Sequence, residues 1–167
     1  KILKSGKIQI FGMTWGSTNS SYEDYKRWID VALEHNPKTK IMIGLCWHTK
    51  GAERNAEEFT KANLEAAEKF FKERAVKLRK AYPNNSIVVI NYGLAACELK
   101  TQFEAGKLKG DVSKMVERKN GLFTDNFGHA GPMIIDLSAL TWLKILYGAD
   151  FDKLELSRKY KTELKVT

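Results

Sequence analysis

The chain has 167 residues, 43% of them hydrophobic and 11% aromatic, with three prolines; that fits one folded domain with a real core and excludes a chain disordered throughout. No apolar run reaches the roughly 20 residues that span a bilayer. The net charge is +8, but the lysines alternate with glutamates, which describes a solvated surface better than a nucleic-acid face.

In chain order, "KIQIFGM" (7–13) predicts a strand, because it is β-branched and aromatic and is followed by the turn chemistry of "GSTNSS". "SYEDYKRWIDVALEH" (21–35) predicts a helix, with Ser20 or Ser21 as N-cap and acidic residues in its first turn. Tyr25, Trp28, Ile29, Ala32 and Leu33 form its apolar stripe. Pro37 ends it, since the residue before a proline avoids the helical region. "KIMIGLCW" (40–47) is almost continuously apolar, as in a strand covered on both faces.

A long charged amphipathic helix is predicted over residues 53–82, again stopped by a proline. "SIVVINYG" (86–93) is the clearest strand, and "LAACELKTQFEAG" (94–106) a helix closed by Gly106. "DVSKMVERK" (111–119) carries a short helical pattern. A final helix runs from Pro132 to Tyr147, with Gly148 at its C′ position.

Strands alternating with helices imply parallel strands joined by right-handed crossovers. Three strands are few for an open α/β sheet, which usually has about five or six. The N-terminal part of the fold is therefore expected to lie outside this chain. No linker or repeat divides residues 1–167. Residues 1–7 lack the apolar core of a signal peptide, and a leader removed earlier would place the protein outside the cytoplasm. Cys46 and Cys97 lack zinc spacing, and their apolar neighbours suit buried thiols. No motif calls for a cofactor or a metal.

Sites in open α/β sheets form at the carboxyl ends of strands. Residues 16–19 follow the first strand, Trp47 and His48 the second, Tyr92 the third. Asn19, Trp47 and His48 are candidate substrate-binding residues, and Trp15 with Trp47 suits an acyl or sugar pocket. His35, in the last turn of a helix, is structural. "LFTDNFGHAGP" (122–132) sets Asp125 four residues before His129, between glycines. A histidine next to a carboxylate can take a proton from a hydroxyl nucleophile while the acid fixes its tautomer. The plain alternative is a helix entrance, with Asp125 as cap and His129 on the surface.

Three segments together resemble the SGNH (GDSL-like) hydrolase family. "YEDYKRWIDVALEHNPKTKIMIGLCW" is similar to its central helix and strand. "YPNNSIVVINYGLAACELKTQFEAG" is similar to the next pair, and "LFTDNFGHAGPMIIDLSALTWLKILYG" to the last block of a bacterial branch. The resemblance implies a flavodoxin-like α/β three-layer sandwich with a parallel sheet. It also implies an ester hydrolase acting on acyl or acetyl esters, including carbohydrate-linked ones. His129 would be the base and Asp125 its orienting acid. The family spacing is D-x-x-H, so Asn126 stands as the alternative to Asp125. No G-D-S-like turn occurs. The nucleophilic serine is expected outside this chain, on a missing N-terminal segment or a second chain, with Ser17 as the weaker internal choice. A non-catalytic α/β module or a pseudoenzyme, binding an anionic partner through its charge, is the competing reading.

Overall fold

The computed structural model describes residues 1–14, 21–47, 61–153 and 160–164. Among them are β1 (Ile10–Thr14), α1 (Tyr22–His35), β2 (Lys40–Leu45), α2 (Lys61–Ala81), β3 (Ile87–Asn91), α3 (Gly93–Glu104), β4 (Lys114–Val116), β5 (Gly121–Phe123) and α4 (Pro132–Tyr147). The protein is mixed α/β with a parallel three-stranded sheet in the order β1-β2-β3. The chain forms two compact units, Lys1–Cys46 with Glu65–Asn91, and Trp47–Leu64 with Tyr92–Thr167.

The first unit is the sheet with α1 and most of α2. Ile10 pairs with Lys40, and Ile41 with Ile87. Sequential strand order with right-handed crossovers puts both connecting helices on one face. One core accordingly contains Tyr25, Ile29 and Ala32 of α1, Ile41, Ile43 and Leu45 of β2, and Phe71, Ala75 and Leu78 of α2. Met42 and Ile90 alternate to the other face and are buried too, which accounts for the unbroken apolar run of β2.

Ser21 is the N-cap of α1. Its hydroxyl oxygen accepts from the Asp24 amide, and the Asp24 carboxylate accepts from the Ser21 amide, a reciprocal capping box. Trp28, expected in the buried stripe, is 47% exposed instead and carries the Arg27 guanidinium over its ring. β1 begins three residues later than its sequence pattern does. The Ile8 carbonyl accepts from the Asn36 and Thr39 side chains, each at 2.8 Å, instead of joining the ladder.

The second unit packs α3, α4 and β5 against one another, with Ala96, Leu99, Leu108, Leu122, Phe123, Met133, Ile134 and Leu137 buried. The short helical pattern expected within residues 111–119 is absent. Residues 114–116 form β4, which pairs in parallel with β5. The Gly121 amide donates to the Glu117 carbonyl at 2.9 Å, so the apolar Met115 and Val116 lie along a strand pair rather than a helix face. Pro132 occupies the first turn of α4, where its missing N–H costs nothing, and Gly148 closes the helix with φ 64°. No helix among the described residues is long and apolar enough to cross a membrane.

Candidate active site

The Asp125–His129 turn lies between β5 and α4, and its backbone determines where the imidazole sits. The Thr124 amide donates to the His129 carbonyl at 2.8 Å, and the Gly131 amide to the Leu122 carbonyl at 2.8 Å. These bonds fold residues 124–131 back onto β5. Gly131 lies so close to that strand that a Cβ there would collide with the Gly121 and Leu122 carbonyl groups. Gly128 has φ 78°, the left-handed conformation that an L side chain resists. Its amide donates to the Asp125 carbonyl at 3.1 Å, which tightens the turn.

Within this frame, His129 Nδ1 lies 2.5 Å from Asp125 Oδ2. The other carboxylate oxygen accepts from the Phe127 amide at 2.9 Å and the His129 amide at 3.3 Å. Asp125 is thereby held below the ordinary carboxylate range, chiefly by the hydrogen bond from the His129 side chain, with the two amides adding to it. A hydrogen bond from Nδ1 to the carboxylate places a proton on that nitrogen, and in the neutral ring Nε2 is then the acceptor. The His129 side chain is 69% exposed. Asn126, the alternative partner, is exposed, and the ring is paired with Asp125.

Trp47, two residues after β2, reaches the same turn. Its indole N–H donates to the Gly128 carbonyl at 2.7 Å. The Trp47 ring stands edge-on to Tyr92, with centroids 5.9 Å apart, and Tyr92 edge-on to Trp142 of α4 at 5.5 Å. Three expected participants thus come together: Trp47, Tyr92 and the Asp125–His129 turn. His48, Asn19, Ser17 and Trp15 lie outside the described residues. Trp142 and Phe127 carry no signal in the sequence that marks them for the site. Trp142 is masked there by the apolar pattern of its helix. Phe127 is 72% exposed with its ring centroid 6.4 Å from that of His129, and only the turn geometry brings it there.

Both cysteines are thiols. Cys97 is buried, and burial pushes its pKa up to about 11; Cys46 is half-buried. Among the described residues no three His, Cys, Asp or Glu side chains gather as metal ligands. No family model, curated protein or solved structure matches the chain.

Proposed function

We propose that this chain carries the histidine–aspartate part of a serine ester hydrolase, acting on a small acyl or acetyl ester or on an ester-bearing saccharide. The observation that supports this reading is the 2.5 Å contact between Asp125 and His129 Nδ1 in a histidine whose side chain is largely open to solvent. A histidine so held can accept a proton at Nε2 while the carboxylate stabilises the imidazolium. In the proposed cycle His129 takes the hydroxyl proton as the serine attacks the ester carbonyl, then returns it to the departing alcohol. Water releases the acyl group by the same route in reverse. The serine comes from outside these residues, on an N-terminal segment or a second chain.

The test is an aryl-acetate assay on this chain alone, and on a form with the sequence encoded ahead of Lys1 restored. The chain alone should turn over poorly. The longer form should be active, and His129→Ala should lower its rate by about 10⁴-fold. Activity that is indifferent to His129→Ala removes the turn from the chemistry. Strong activity of the short chain that vanishes in Ser17→Ala moves the nucleophile to Ser17. A second reading, a non-catalytic α/β module or pseudoenzyme for an anionic partner, draws on the net charge of +8. It gains if no form hydrolyses esters and the chain binds a polyanion such as heparin in a salt-sensitive way.

A further inference from the structure

We propose that Trp47 is a positioning residue for His129, acting through the peptide group that joins Gly128 to His129. That peptide is held from both sides. Its carbonyl accepts from the Trp47 indole at 2.7 Å, and its N–H donates to Asp125 Oδ1 at 3.3 Å. The two grips differ in kind. The Asp125 contact is local and long, whereas the indole contact is short and joins positions 81 apart in sequence.

The hydrogen bonds that Thr124, Phe127, Gly128 and Gly131 donate all join atoms within residues 122–131. Beyond β5, the far end of the turn is tied to α4, where the Ile135 amide donates to the Gly131 carbonyl at 3.1 Å, and its middle is tied by the indole of Trp47. Gly128, with φ 78°, is also where the backbone is least restrained by its own side chain. A fixed donor at this carbonyl therefore removes freedom where the turn has most of it. The donor is itself braced by the edge-on contacts from Trp47 to Tyr92 and from Tyr92 to Trp142. Displacing a catalytic base by about 1 Å can cost on the order of a hundredfold in rate.

This role is separate from any packing of substrate on the indole ring, because it uses the N–H, the one polar atom of the ring, toward the protein itself. The catalytic consequence rests on the proposed use of His129 as a base; the clamp itself does not, and it can be measured without turnover.

The experiment uses the full chain, labelled with ¹⁵N and ¹³C. In the wild type the Trp47 indole proton should exchange at least about tenfold more slowly than that of an unstructured tryptophan. In Trp47→Phe, which keeps an aromatic ring but removes the donor, the His129 Nδ1 proton resonance should broaden or vanish. The Asp125 carboxyl titration should move up toward 3.8, its ordinary value. Leu108→Ala, which opens the buried core of the same unit, should lower the melting temperature and leave both signals in place. A wild-type indole proton that exchanges freely overturns the clamp. So does a folded Trp47→Phe protein with unchanged His129 and Asp125 signals. If Trp47→Phe does not fold, the wild-type exchange rate decides alone. In an ester-hydrolysing form, Trp47→Phe should lower kcat about 10- to 100-fold with KM little changed. Absence of ester hydrolysis in every form removes the base role of His129, while the exchange and titration results still decide the clamp.

Discussion

The phenol of Tyr82, one residue beyond the end of α2, donates to Asp30 Oδ1 on α1 at 2.5 Å. The same aspartate forms an ion pair with Lys26 one turn earlier, at 3.1 Å. The hydrogen bond from Tyr82 is the main reason the Asp30 carboxyl lies below its ordinary range. It fastens the end of α2 to the interior of α1, two helices that share one core. Tyr82→Phe should therefore destabilise the protein by about 1 kcal/mol in urea unfolding, at the modest end for a bond to a charged group because Asp30 is half exposed. The Asp30 titration should move up in the same variant. No change in either measurement would mean that the bond does not persist in solution.

Two glycines separate two reasons for being glycine. At Gly131 a Cβ would run into backbone carbonyls, which cannot swing aside as a flexible side chain can. Gly131→Ala should cost about 2–4 kcal/mol and disturb the Asp125–His129 turn. At Gly148 a Cβ would meet nothing within 4 Å, and only φ 64° resists it. Gly148→Ala should cost about 1 kcal/mol. Equal losses from the two substitutions would contradict the close approach at Gly131.

Because His129 and two amides hold the Asp125 carboxyl below 3.8, the turn acquires a definite pH dependence. A carboxylate whose folded pKa is depressed adds stability above its unfolded pKa of about 3.9, and loses it as pH falls through the folded value. The turn should stay intact from neutral pH to below 3.8 and open only as pH falls through the depressed folded value. Carbon-13 shifts of the Asp125 carboxyl follow the transition directly. His129→Ala should move that titration up, and an unmoved curve would show that the pairing is absent in solution.

Phe71 of α2 is fully buried in the core of the first unit, edge-on to Tyr25 of α1 at 6.2 Å. Phe71→Ala should cost about 3–5 kcal/mol in urea unfolding. Val76, on the same helix but 49% exposed, should tolerate alanine with a change within about 0.5 kcal/mol. Similar losses at both positions would contradict this assignment of buried and exposed faces.

The elements most legible in the sequence were those whose pattern reports burial alone. The apolar run of β2 and the β-branched "IVVI" of β3 announce buried strands because no polar group interrupts them. The N-cap of α1 is legible as Ser20 or Ser21 ahead of acidic residues, and the structure narrows it to Ser21 and adds the reciprocal bond from Asp24. What escaped depended on partners distant in sequence. The late start of β1 follows from Asn36 and Thr39 claiming the Ile8 carbonyl. Residues 111–119 carry a helical pattern in sequence although 114–116 form β4, because a three-residue strand is too short to establish a period. At the site, the spacing of Asp125 and His129 was readable, yet it left Asn126 open as a partner. The choice rests on a turn in which Asp125 caps the Phe127 and His129 amides. Trp47 stands out in sequence as an aromatic after a strand; its bond to Gly128 joins positions 81 apart and leaves no mark in the local sequence.

The β1-β2-β3 order also bears on how the chain acquires its structure in time. Ile10 must find Lys40, and Ile41 must find Ile87, so no strand of the sheet can pair before a whole helical segment has been looped out. Antiparallel hairpins escape that entropy; parallel strands joined by a helical crossover do not. Helix α1, with its cap supplied by adjacent residues, has no such wait. In stopped-flow refolding, Ser21→Ala should therefore slow folding by a larger share of its stability loss than Ile90→Val does. The reverse ranking would mean that the strands collapse first and the helices form on them.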